Sequence, residues 1–197
     1  MNCLKDKAEL KNKPRIRLDM KEIYILLTNS HTLISKAIYY ISKAEYTHAA
    51  LAMDKDLTML YSFGRKFKYS MFPSGFVREG VNHGVMGDSD TMKCALYAIT
   101  ISDRCYKKLA NRLRHMEAKK HCYRFNYLGL PMCGFGKKSG GRNVFFCSQF
   151  ICHVLNESGA IETSKHPSLT RPVDFEKLHK ARCIFRGPIC ELRDFTF

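Results

Sequence analysis

Cysteine 147 stands where a thiol can do chemistry. Phe146, Phe150, Ile151, Val154 and Leu155 recur at i, i+4, i+5, i+8 and i+9, a spacing that predicts an amphipathic helix from Phe145 to about Ser158, closed by Gly159 at its C′ position. Cys147 falls in the first turn of that helix. A thiol is a useful nucleophile only as the thiolate, and the unpaired N–H groups and dipole of a helix start stabilise that anion. The same N–H groups can hold the oxyanion formed when a thiolate attacks an acyl carbon, so one helix end supplies both halves of an acyl-transfer centre. The bland reading of any single cysteine is a small buried core thiol. Position alone does not separate the two.

A nucleophilic cysteine also needs a base. The chain offers His31, His48, His83, His115, His121, His153, His166 and His179. His115 and His121 lie on or after a basic helix and His179 in a Lys-rich tail. His153 is six residues past Cys147, on the far side of the helix. His48 differs, because it opens the apolar run Ala49-Ala50-Leu51-Ala52-Met53, where an imidazole is half buried and held by neighbours. A hairpin turning about Lys55 places His48 opposite Ser62, whose hydroxyl can orient the ring. The competing reading is a satisfied core histidine on a strand.

These residues need elements to position them. Residues 1–20 read as a charged arm, and residues 21–197 as a single domain. A strand is expected at Ile23–Leu27, then a short amphipathic helix from Leu33 to Ile41. Thr47–Met53 and Leu57–Phe63 flank the turn-prone trio Asp54-Lys55-Asp56 and read as an antiparallel hairpin. The segment 64–92, with Pro73 and several glycines, reads as a long loop with one short strand near Phe76-Val77. Cys94–Ile101 is expected as a buried strand. Ser102-Asp103 then caps a helix to about Lys120, with Cys105, Leu109, Leu113 and Met116 inward. Gly129 to Gly141 reads as irregular. The tail should hold a Pro-bounded stretch from Pro167 to Pro172, a short helix near Asp174–Lys180 and a last strand at Arg182–Arg186.

Composition narrows the function classes. Thirty-three Lys and Arg against eighteen Asp and Glu give a net charge of +15, a field that favours acidic partners. The charge is spread over Arg65, Lys66, Lys68 and Arg78, the stretch Asp103–Arg124, and Lys137, Lys138 and Arg142, so a solvated basic surface is expected rather than a nucleic-acid site. No specific nucleic-acid motif is present. Gly134-Phe135-Gly136-Lys137-Lys138-Ser139 lacks the spacing of a phosphate loop. The nine cysteines include no C-x-x-C pair, so no metal site and no cofactor is expected, and most should be free thiols. No apolar run reaches the roughly 18 residues of a membrane span. Seven Lys or Arg and four Asp or Glu in residues 1–22 leave no signal-peptide core, so a soluble, cytoplasmic protein is expected.

Two short motifs carry a family resemblance. Tyr46-Thr47-His48-Ala49-Ala50-Leu51 precedes a hairpin, a strand, a long helix and Tyr127-Leu128-Gly129-Leu130. Phe146-Cys147-Ser148-Gln149-Phe150 follows. This order resembles the circularly permuted NlpC-type papain-like family, which includes YiiX-like proteins and, more distantly, lecithin retinol acyltransferase. In that family the histidine strand precedes the cysteine helix. The resemblance, from about Ile23 to the last strand, implies Cys147 as nucleophile, His48 as base and the Cys147 N–H as part of the oxyanion hole. The family usually places an acid, amide or second histidine on the following strand. That strand here reads Leu60-Tyr61-Ser62-Phe63, so Ser62 is the orienting candidate and Asp54 an outside one.

The expectation is therefore an α+β, permuted papain-like (NlpC-type) fold in which a small antiparallel sheet packs on the cysteine-bearing helix. Its function would be that of a thiol hydrolase or acyltransferase acting on a peptide, amide or lipid-ester substrate through an acyl-thioester. Loops 64–84 and 131–142 would wall the substrate, and an anionic substrate would suit the charge. The alternative is a papain-like module without turnover that uses its basic surface to hold an anionic partner.

Overall fold

The computed structural model describes residues 19–29, 45–67, 70–82, 84–87 and 89–195. The helix expected at Leu33–Ile41 and nearly all of the expected arm lie outside these residues. Six strands form one antiparallel sheet in the order β4-β3-β2-β1-β5-β8. They are β1 (Met20–Thr28), β2 (His48–Ala52), β3 (Leu60–Phe67), β4 (Ser70–Glu79), β5 (Lys93–Ser102) and β8 (Ala181–Pro188). The short strands β6 (Arg124–Phe125) and β7 (Val144–Phe145) pair in parallel as a separate ladder. The helices are α1 (Gly84–Gly87), α2 (Asp103–Ala118), α3 (Gly129–Gly134), α4 (Cys147–Ser158) and α5 (Ile189–Arg193). The domain is thus α+β.

Both faces of this sheet are covered, which explains why β1 and β5 read as unbroken apolar runs rather than as alternating patterns. On one face Ile23, Ile25, Leu27, Ala49, Leu51, Tyr97 and Ile99 meet α2 and α4 through Leu109, Leu113, Met116, Phe150 and Leu155. On the other, Tyr24, Leu26, Ala50, Ala52 and Leu96 lie under Leu57, Val81, Met86, Ile189 and Leu192. The capping arithmetic of α2 holds: the Ser102 side chain accepts from the Cys105 backbone N–H. At the other long helix, Gly159 ends α4 at φ 76°, the left-handed conformation that glycine adopts without a Cβ penalty.

The stretch 64–92 is not a long loop. β3 runs on to Phe67, and β4 pairs with it through Ser62↔Val77, Phe63↔Phe76 and Gly64↔Gly75. Pro73 and Gly75 hid this strand from pattern reading. At the edge of a sheet, however, a proline's missing N–H removes no obligatory ladder bond, and among the described residues β4 has only β3 as a neighbour. The irregular segment 129–141 likewise begins with α3, and the chain adds α5 after its last strand.

A knot of aromatic rings fixes α4 on the sheet. Phe63 of β3 meets Phe150 of α4 with ring centroids 5.1 Å apart. It also meets Phe145 at 5.4 Å and Phe76 of β4 at 5.8 Å. The centroid spacings are those of interacting aromatic pairs. The β6–β7 ladder brings the chain in, with Asn126 N–H donating to the Phe145 carbonyl at 2.9 Å. Phe146 and Cys147 follow immediately.

Candidate active site

Cys147 is the first residue of α4 and is 5% exposed. The first intrahelical bond runs from Phe150 N–H to the Phe146 carbonyl, so the N–H groups of Cys147, Ser148 and Gln149 precede the helical ladder. The Phe146 N–H is already committed to the Gln149 side-chain oxygen at 3.4 Å. The helix start is therefore fixed by a side chain of its own first turn, and its forward N–H groups point beyond the ladder.

His48 opens β2, and its ring lies beside both a carboxylate and the thiol. Nε2 is 2.9 Å from Oε2 of Glu79, the last residue of β4. The side chains are 17% and 23% exposed. The Cys147 sulfur is close enough to the same ring to raise its pKa. Burial alone opposes a charged ring, but the Glu79 carboxylate and the Cys147 sulfur outweigh it. Together they hold the imidazole well above its ordinary range, as adjacent negative charge must.

The nearest polar side chain to the His48 ring is Glu79 rather than Ser62. Ser62 Oγ is 3.4 Å from His48 Nε2, but its hydrogen is given to the Ala49 carbonyl at 2.8 Å. Glu79 is nearer and charged. The hairpin register explains the difference. Leu51 faces Tyr61 and Ala52 faces Leu60, so continuing the ladder brings His48 level with Gly64 rather than Ser62. The offset is two residues, which preserves the face. The longer turn causes it, with Asp54 Oδ1 accepting from Thr58 N–H and Oγ1. Asp54 is spent in that turn.

Gly64 has a local consequence. A Cβ there would stand 3.3 Å from Glu79 Oε1 and 3.9 Å from His48 Cε1. The carboxylate and the ring therefore meet over a strand position that carries no side chain. Glu79 lies outside the expected site because the segment that carries it reads as loop. One signal was available: it is the only carboxylate between Asp56 and Asp88, in a stretch holding Arg65, Lys66, Lys68 and Arg78.

Behind the thiol lies a buried amide relay. Asn126 Nδ2 donates to Gln149 Oε1 at 3.0 Å, and Asn126 Oδ1 accepts from Gly129 N–H at 2.9 Å. Gln149 Nε2 reaches the Ser139 carbonyl at 3.5 Å. Ser148 Oγ donates to the Thr170 carbonyl at 2.7 Å. The first turn of α4 is thereby tied to the glycine-rich segment and to the tail.

The other histidines find other work. His153 stacks on Phe145 and pairs with Glu157 at 3.5 Å, and its burial pushes its pKa down. His166 meets the Ser168 hydroxyl through Nδ1 at 2.8 Å. His115, His121 and His179 are exposed, while His31 and His83 lie outside the described residues. Among the other thiols, burial pushes Cys94 up to about 12 and also raises Cys133 and Cys152. The described cysteines are free thiols. No helix among the described residues is long and apolar enough to cross a membrane. Compared with protein-family models and with curated proteins, the chain matches none.

Proposed function

We propose that this protein is a thiol hydrolase or acyltransferase of the permuted papain-like kind, working through an acyl-thioester on Cys147. The observation that carries the reading is that the Glu79 carboxylate and the Cys147 sulfur both act on one half-buried imidazole. Thiol, base and charged orienting group come from α4, β2 and β4, three segments distant in sequence. A histidine strand ahead of a cysteine helix is the permuted order.

The chemistry follows from the charges. His48 takes the Cys147 proton, and the resulting thiolate and imidazolium stabilise one another while Glu79 supports the cation. The thiolate attacks an acyl carbon, and the carbonyl oxygen becomes an oxyanion facing the N–H groups at the start of α4. As the tetrahedral adduct collapses, the bond to the leaving group breaks and the imidazolium gives its proton to the departing nitrogen or oxygen. The acyl group remains on sulfur as a thioester. Neutral His48 then deprotonates water or an alcohol or amine acceptor, which attacks the thioester and returns the thiol.

The test is the pH dependence of iodoacetamide labelling, read out cysteine by cysteine by mass spectrometry. Cys147 should label well below the ~8.5 of a free thiol, and His48→Ala should remove that advantage. Labelling of Cys147 in step with the other cysteines would end the proposal. Turnover of peptide, amide and ester panels should vanish in Cys147→Ala. The competing reading, an inert module that holds an anion, draws on the +15 charge. Nothing about holding an anion calls for a carboxylate against His48.

A further inference from the structure

We propose that the outer face of α3 docks this protein on an anionic lipid bilayer. The helical bonding extends past both ends of α3, with Met132 N–H donating to the Leu128 carbonyl and Phe135 N–H to the Pro131 carbonyl. Leu128, Met132 and Phe135 are therefore spaced i, i+4 and i+7 along one face. Leu128 and Phe135 are each 76% exposed. Gly129 is buried and Cys133 half-buried on the opposite side. A surface helix ordinarily turns its large apolar residues to the core; this one leaves Leu128 and Phe135 in solvent while Leu130 and Met132 are half-buried.

The placement of the helix is fixed at Gly129. A Cβ on Gly129 would fall 2.2 Å from Asn126 Nδ2, the atom that holds Gln149. The helix thus lies against the amide relay through a residue with no side chain, and Leu128 and Phe135 flank that contact in solvent. Phe72, itself exposed, lies 4.9 Å from the ring of Tyr127, the residue before Leu128.

Charge selects the occupant. Lys137 N–H donates to the Met132 carbonyl at 2.8 Å, folding the chain back so that the exposed Lys137 and Lys138 follow the apolar face directly. Arg142 is exposed nearby in sequence, and no carboxylate occurs between Glu117 and Glu157. An apolar face rimmed with cations matches an anionic interface, which supplies both hydrocarbon and negative charge. A second copy would bring the same lysines together at a net +15, which opposes self-association.

The proposal concerns the surface alone and is separable from the thiol chemistry. Full-length protein is sedimented with vesicles of phosphatidylcholine containing about a third phosphatidylglycerol, and with phosphatidylcholine alone. The wild type and Cys147→Ala should both co-sediment with the anionic vesicles and not with the neutral ones. Replacing Leu128 and Phe135 together by serine should cut partitioning at least about tenfold. Replacing Lys137 and Lys138 together by alanine should cut it by a similar factor or more. All four side chains are exposed, so circular dichroism and melting should be unchanged. Failure of the wild type to bind would overturn the proposal. So would equal binding by the serine pair, which would reveal diffuse electrostatic adsorption. A dimer that the serine pair dissolves, in protein that ignores vesicles, would assign the face to self-association instead.

Discussion

Glu79 Oε2 stands 2.9 Å from His48 Nε2, and the two side chains meet over the bare position of Gly64. β2 and β4 are not neighbours in the sheet; β3 lies between them. The carboxylate reaches across β3 at a position that presents no side chain.

Removing that carboxylate should uncouple the pair. Glu79→Gln keeps the shape and discards the charge, so His48 should titrate lower and hold less of the thiolate. Labelling of Cys147 near pH 6 should fall about 10- to 100-fold relative to wild type. The difference should close near pH 9, where any thiol ionises. Rates measured across pH 5–9 in both proteins check this.

Stability should carry the same signature. The His48 pKa is raised in the folded protein, so its contribution is fully present below the ordinary value near 6.5 and is lost as pH rises through the folded value. Urea unfolding should show wild type gaining most over Glu79→Gln at or below about pH 6. That advantage should shrink on the alkaline side. An advantage independent of pH would contradict the linkage.

Ser62→Ala separates the two orienting candidates. It removes the buried bond to the Ala49 carbonyl, costing about 1 kcal/mol of stability. Because Glu79 retains its charge, the pH profile of Cys147 labelling should keep its position. A shift as large as that of Glu79→Gln would make the serine the working partner.

Gly64→Val tests the bare position. Even one methyl group would lie 3.3 Å from Glu79 Oε1, and a branched side chain must displace the carboxylate. Labelling should resemble that of Glu79→Gln, and Gly64→Ala should fall between Gly64→Val and wild type.

Gly140→Ala probes the support of the helix start. Gly140 has φ 127°, and a Cβ would stand 2.7 Å from Gln149 Nε2. The strained backbone alone should cost about 1–3 kcal/mol in urea unfolding. Loosening of Gln149 should also slow Cys147 labelling.

Local patterning carried much of this architecture. The 3.6-residue spacing of Phe146, Phe150, Val154 and their neighbours, closed by Gly159, marked α4 and put Cys147 in its first turn. Ser102 marked the start of α2. The apolar runs of β1, β2 and β5 were plain, because both faces of those strands are buried and each position needs an apolar residue. These are signals that a segment carries by itself.

The partner of His48 was not such a signal. Register depends on the length of the turn between β2 and β3, and an Asp54–Thr58 contact set it two residues from expectation. β4 is an edge strand whose proline and glycines conceal it. Glu79 becomes part of the site only because β3 pairs with β4 on one side and with β2 on the other. The sequence by itself determined the thiol at a helix start and the imidazole at a strand start. Tertiary structure decided which charge stands beside them, since residues 31 apart meet through cross-strand pairing, a relation that no local periodicity encodes.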